Sequence, residues 1–164
     1  MAYINPAPGT ANQITLRLDV ASDEDDTTQG ASPLTVPALQ DITVNAANDV
    51  FTWSQLDSTA KKQIATTSTN SISMNLVVDK ASFFGTDLDA AITGTIAEQG
   101  LFGCSRNKTL VNFILKVEEA GASDTVIKGV GYITGVAPTI SADAPVWVSP
   151  ITITVTGEYI VATS

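Results

Sequence analysis

Histidine is absent from the 164 residues, and cysteine occurs only once, at Cys104. Without histidine the chain lacks the usual general base near neutral pH and the imidazole metal ligand. A single thiol cannot form an intramolecular disulfide. Arg106 could lower the pKa of Cys104, but no base accompanies it, so a small buried or half-buried side chain is the preferred interpretation. We expect a protein that is not an enzyme and holds no cofactor or metal.

Charged residues are also scarce, at 15% where about a quarter is usual. Seventeen acids face eight bases, which gives a net charge of −9. Tight binding to nucleic acid requires many Lys and Arg residues that displace counterions from phosphates, so that function is disfavoured. The remaining surface is neutral and easily desolvated against a partner. We therefore favour self-association over the alternative of a Thr/Ser-rich β-protein that simply carries few charges.

Long apolar runs are missing as well, since none approaches the ~18–20 residues of a membrane span. Residues 1–6 show neither the basic nor the apolar region of a signal peptide. The length fits a single domain over residues 1–164, which can bury roughly 68–70% of its unfolded surface. We expect a soluble protein that is made in the cytoplasm and has no membrane partner.

Alternation of apolar and polar residues is the main pattern present, and it predicts strands. The predicted strands are 13–20, 41–54, 71–79, 108–117, 125–136 and 145–163. Residues 45–48 predict a turn within the second of these. Residues 21–39 predict a long extended loop. Residues 55–69 are polar and indicate either a short helix or the tip of a long hairpin.

One helix is predicted, over about 87–99. The segment Thr86–Asp89 matches a capping box, and Gly100 is a plausible stop. An apolar stripe at helical spacing is formed by Leu88, Ile92 and Ile96. The stripe is expected to pack against a sheet, with a partner-binding groove as the alternative. The fold class is therefore mainly β: a β-sandwich or barrel flanked by one α-helix, with long extended loops.

Two groups of residues invite a ligand-binding interpretation. The acids Asp23, Glu24, Asp25 and Asp26 could offer oxygen ligands to Ca²⁺, but Thr28 occupies the position where an EF-hand loop has glycine. A solvated loop tip is the default reading. Trp53 and Trp147 lie in strand patterns and are predicted to be core or interface anchors more readily than ligand-stacking platforms.

The C-terminal third carries the most distinctive pattern. Its three segments are GVGYITGV at 129–136, ISADAPV at 140–146 and ITITVTGE at 151–158. This strand, small-residue turn and final alternating strand ending in Thr-Gly resembles the major tail tube proteins of long-tailed bacteriophages. The order of the other elements is similar to that family too. Pro150 departs from the usual pattern and bears on the register of the last strand.

The resemblance implies subunits that join their sheets edge to edge in a hexameric ring, with rings stacked into the hollow tube of a virion tail. The implied partners are further copies, other tail proteins, and DNA that passes through during ejection without tight binding. A negative wall would keep DNA from sticking. The acids chosen as candidates to face the lumen are Asp41, Asp49 and Asp79. The candidate inter-ring contacts are Asp23, Glu24, Asp25, Asp26, Lys61 and Lys62.

Two other functions stay open on the sequence. The first is another self-assembling phage structural protein, such as a capsid decoration or fibre subunit. The second is a small carbohydrate-binding sandwich, which would require Trp53 and Trp147 to be exposed.

Overall fold

A computed structural model describes residues 14–56, 59–119 and 123–164. The strands are β1 (Ile14–Val20), β2 (Leu34–Thr35), β3 (Leu39–Ser54), β4 (Lys61–Val77), β5 (Leu110–Val117), β6 (Thr125–Val136), β7 (Thr139–Ser141) and β8 (Ala144–Thr163). The helices are α1 (Lys80–Phe84) and α2 (Ile96–Asn107). The N-terminal segment 1–13, for which no signal peptide is expected, and residues 57 and 58 of the polar segment lie outside the described residues. In the described part of the chain, no helix is long and apolar enough to cross a membrane.

All eight strands form one antiparallel sheet in the order β2-β1-β5-β6-β8-β4-β3, with β7 added to β8. The two ends of this order are joined by the short segment 34–39. On one side, the Val36 N–H donates to the Leu16 carbonyl of β1 at 2.9 Å. On the other, the Val77 N–H of β4 donates to the Ala38 carbonyl at 3.2 Å. The sheet therefore closes on itself only where this segment meets β1 and β4, and along β3 the outer margin stays unpaired among the described residues. Strands make up most of the described elements, which confirms the predicted mainly β class.

The core lies inside this closed sheet and follows the period of two that strands impose. In β4 the residues from Asn70 to Val77 alternate between buried and half-buried positions. The largest fully buried side chains include Phe83, Phe113, Leu16, Leu18, Ile72, Met74, Leu76, Ile96, Leu101, Ile151 and Ile153. Both helices contribute to this cluster, so they pack against the sheet.

The helix predicted over about 87–99 is wrong in position. The Asp87 carboxylate accepts from the Asp89 N–H and the Asp87 carbonyl accepts from the Ala90 N–H, which makes residues 86–90 a turn. The capping box forms instead between Thr95 and Glu98, where α2 begins.

Two further features explain the shift of the helix. Leu88 and Ile92 of the supposed stripe are exposed, and only Ile96 is buried. Gln99, itself buried, donates to the Gly94 carbonyl at 2.6 Å, and its Oε1 accepts from Thr109 at 2.8 Å. This amide holds the segment before α2 in a non-helical conformation.

The turn predicted at residues 45–48 is also wrong, because β3 runs through it without a break. The irregularity there is a shift in register between Asn48 and Val50. Residues 61–69 belong to β4, so the polar segment is largely strand and not helix. Near the C-terminal end, β8 continues through Pro150. The pairing of β8 with β6 begins at the next residue, Ile151.

Cys104 is buried among core residues of α2, and burial raises the pKa of its thiol to about 12. The thiolate is the reactive form, so the raised pKa and the burial together keep this thiol unreactive near neutral pH. We expect iodoacetamide to leave the native protein unmodified and to alkylate it fully in guanidinium chloride, as measured by mass spectrometry. Rapid alkylation of the native protein would contradict this burial.

Candidate assembly surfaces

The distal half of the β3–β4 hairpin projects from the closed sheet as an arm. This hairpin arm comprises residues 46–54 and 61–69, and apart from half-buried Trp53 its described residues are exposed. Nine residues of extended chain span roughly 30 Å. An isolated two-stranded ribbon is only marginally stable in water, because it has no body to pack on. The arm therefore has the character of a segment that is completed by a partner.

Near its tip the arm carries an apolar face. Phe51 lies directly opposite Ile64 in the hairpin register, and the Phe51 and Trp53 rings stack with centroids 5.9 Å apart. Phe51 is 59% exposed and Ile64 is 56% exposed. Lys62 lies opposite Trp53 and borders these three residues. We call Phe51, Trp53 and Ile64 the apolar arm face.

The outward side of β3, β4, β8 and β6 is covered with small hydroxyl groups. Register places Thr43 opposite Ser73, and Ser73 opposite Thr152. In the next row Ser71 lies opposite Thr154, whose hydroxyl lies 2.7 Å from that of Thr134. We call this surface the hydroxyl face; its members are Thr43, Ser71, Ser73, Thr134, Thr152 and Thr154. It is polar but uncharged.

This four-stranded layer ends in two strand margins. Among the described residues, β3 pairs along its length with β4 alone, so its other margin presents backbone groups outward. At the opposite margin, β5 pairs with β6 only as far as Tyr132. Strand β6 continues beyond this pairing to Val136. The two margins therefore lie on opposite sides of the same layer.

A second apolar surface lies where β4 ends and β8 begins. A groove of about 540 Å³ is lined by Val78, Lys80, Phe84, Ile140, Val146 and Trp147. Phe84 and Trp147 meet edge to face with ring centroids 5.9 Å apart. Trp147 is 39% exposed and Ile140 is 56% exposed. We call this surface the aromatic groove.

The three predicted lumen acids are not brought together. Asp41 lies beside the hydroxyl face, where the Asn75 amide donates to both of its carboxylate oxygens at 3.0 and 3.1 Å. Asp49 lies on the arm and accepts from the Thr67 hydroxyl. Asp79 caps α1, and the backbone N–H and hydroxyl of Ser82 lower the pKa of its carboxyl.

The predicted inter-ring contacts fall into two separate places. Asp23, Glu24, Asp25 and Asp26 lie in a loop that is bonded to the sheet at its Thr28 carbonyl, which accepts from the Asn112 amide of β5. The Ser22 backbone N–H and hydroxyl donate to the Asp26 carboxylate and lower its pKa. In the described residues no group of acids is arranged to hold a metal ion. Lys61 and Lys62 begin β4 near the tip of the arm.

The apolar arm face and the aromatic groove were not predicted as surfaces. Trp53 and Trp147 were predicted only as core or interface anchors, and Phe51 as a strand residue, because alternation does not reveal whether a strand packs on a core. The available signal was the polar stretch 61–69, which pairs with them and offers no apolar side for a core.

Similarity to known proteins is found in structure and not in sequence. No protein-family model matches the chain, and no curated protein matches it. A chain of the tail of an empty gene transfer agent particle, refined with C6 symmetry, aligns with a TM-score of 0.62 at 12% identity, covering 93% of this chain and 98% of that one. The SPP1 tail tube structure aligns with a TM-score of 0.61 at 12% identity, covering 92% and 77%. The chain has a phage tail tube fold.

The same tail tube fold extends to contractile systems. A chain from the sheath/tube terminator of an extracellular contractile injection system aligns with a TM-score of 0.53 at 14% identity, covering 95% of this chain and 97% of that one. The family resemblance drawn from residues 129–158 is thus confirmed for the fold.

Proposed function

We propose that this chain is a structural subunit that assembles into the hollow tube of a virion tail and has no enzymatic role. The observation that carries the proposal is the four-stranded layer with a strand margin at each side. When the β3 margin of one copy meets the β6 margin of the next, the backbone groups of both are paired. Repetition of that contact around an axis gives a closed ring.

The ring is proposed to contain six copies. Support comes from the shared fold with a tail chain refined under C6 symmetry. In this assembly each chain acts as one domain, and its further partners are other tail proteins at the two ends of the tube.

The hydroxyl face is proposed to line the channel. Small uncharged hydroxyls cannot displace the counterions of DNA, so a wall made of them does not bind passing DNA electrostatically. Asp41, beside this face, adds negative charge to the wall. Asp49 and Asp79, as an arm residue and a helix cap, are weaker candidates for the lumen. DNA would therefore pass without tight binding.

Electron microscopy of the purified protein tests the proposal. We expect hollow rings or tubes with six-fold end views at high protein concentration. A protein that stays monomeric at every concentration and salt would contradict the tube function.

Two proline variants test the margin at β3. Ala46 and Ala47 are adjacent and exposed, so one of them directs its N–H toward β4 and the other toward the open margin. Proline removes that N–H. We expect one variant, Ala46→Pro or Ala47→Pro, to keep its far-UV circular dichroism and lose rings. The other serves as the control that perturbs the hairpin itself. Normal rings in both folded variants would overturn the β3 contact.

A further inference from the structure

The hairpin arm leaves the body of the sheet at a fork between β4 and β8. The pairing of these two strands runs from Val77 and Val148 to Asn70 and Val155 and ends there. Beyond this point β8 continues along β6 to Thr163, whereas β4, among the described residues, continues with β3 alone into the arm. A two-stranded ribbon has little stability of its own. The direction of the arm therefore depends on the contacts that hold this fork.

A bulge in β8 lies directly after the fork. Between Val130 and Lys128 of β6, the register of β8 advances from Thr156 to Ile160, so three residues of β8 oppose a single residue of β6. Gly157, the first of the three, has φ 80°, a value that glycine adopts without a steric penalty. The three bulged residues are therefore not tied to β6 by the regular ladder.

Two polar contacts join this bulge to the base of the arm. The Tyr159 hydroxyl lies 2.7 Å from the Asn45 carbonyl oxygen and 2.9 Å from the Ser71 carbonyl oxygen, so its proton is shared between both strands of the hairpin. Asn45 and Ser71 are register partners at the rung where the arm begins. The buried Asn70 amide donates to the Gly157 carbonyl at 2.8 Å. Both strands at the base of the arm are thus bonded to β8.

The Tyr159 ring also contacts the core. It meets Phe113 edge to face with ring centroids 6.2 Å apart, and Phe113 is fully buried in β5. The tyrosine side chain therefore reaches from the core to the hairpin and ties the two strands of the arm to the body. We propose that Tyr159 and Asn70 form a latch that sets the direction of the hairpin arm in the isolated subunit, before any partner is bound.

The latch has a consequence for assembly. An arm whose direction is already fixed loses less conformational entropy when a partner binds it. This consequence rests on the proposed function, whereas the latch itself is a property of the single subunit. We expect loss of the Tyr159 hydroxyl to raise the protein concentration needed for assembly by about threefold to tenfold, the effect of one intramolecular hydrogen bond.

Distances between spin labels test the latch in dilute, unassembled protein. The labels are attached at Thr52→Cys in the arm and Ala97→Cys in α2, which are both exposed, while the buried Cys104 stays unlabelled. Tyr159→Phe keeps the ring and removes only the hydroxyl. Tyr132→Phe removes the hydroxyl of an exposed tyrosine and is the matched control. We expect the distance distribution to be at least about twofold wider in Tyr159→Phe than in the control.

Asn70→Ala gives an independent test through the second contact, and circular dichroism shows whether each variant is folded. It should widen the same distribution. Widths equal to that of the control in the folded variants would overturn the latch. In sedimentation, assembly of Tyr159→Phe at the same concentration as Tyr132→Phe would overturn its role in assembly. A wild-type protein that never assembles would overturn the proposed function, and the label distances would still decide the latch.

Discussion

Replacing Gly100 with alanine is expected to lower the free energy of unfolding by roughly 3–5 kcal/mol. Gly100 has φ 64° and ψ −179°, a conformation that is nearly restricted to glycine. A Cβ there would lie 2.3 Å from the Gly85 nitrogen and 2.7 Å from the Phe83 carbonyl oxygen. Both neighbours are backbone atoms, so no rotamer change relieves the clash. The backbone strain at residue 100 and the forced separation of α1 from α2 both lower the free energy of unfolding.

Guanidinium unfolding of the isolated subunit measures this effect. Gly135→Ala is the matched control, because its Cβ would meet Thr152 at 3.4 Å, which is ordinary contact. We expect the control to cost no more than about 1 kcal/mol. Similar losses in the two variants would show that α1 and α2 are not in contact at Gly100.

Phe113→Ala is expected to be the most damaging core substitution, with a loss of roughly 3–5 kcal/mol. Phe113 is fully buried in β5, and its ring lies so close to Gly129 that a Cβ there would be 2.6 Å from it. It also meets Tyr159 edge to face with centroids 6.2 Å apart. Removal of the ring leaves a cavity between β5 and β6 that the closed sheet cannot collapse to fill.

Phe51→Ala makes the same chemical change on the hairpin arm and is the control for Phe113→Ala. Because Phe51 is 59% exposed, its loss should change the unfolding free energy by less than about 1 kcal/mol. Sedimentation should show that Phe51→Ala weakens assembly more than its small loss of stability explains. If Phe51→Ala destabilised the monomer as strongly as Phe113→Ala, the arm would be part of the core.

The strands were predictable because their burial alternates. Leu16 and Leu18 in β1 and Ile151, Ile153 and Val155 in β8 are buried on one side in the period that the sequence shows. The helix was misplaced because two capping boxes compete in one short stretch. The local sequence pattern does not reveal that Gln99 is buried and hydrogen-bonded to the preceding loop. That contact decides in favour of the capping box at Thr95.

The candidate surfaces were less predictable than the fold. Strand order brings Thr43, Ser73 and Thr152 together from three distant segments, and no window of sequence contains all three. The acids near the middle strands were chosen by their position along the chain. The structure shows that one of them, Asp79, is the N-cap of α1, which its position along the chain does not reveal.

The uninterrupted course of β4 has a mechanical consequence. The strand runs from the arm to the groove without a break and is held by β3 along most of its length and by β8 over its second half. A force applied to the arm along the strand direction is carried by the covalent backbone of β4. It loads the hydrogen bonds to β3 and β8 in shear and all at once, instead of opening them one after another. A molecule built in this way resists stretching along that axis far better than peeling from its side.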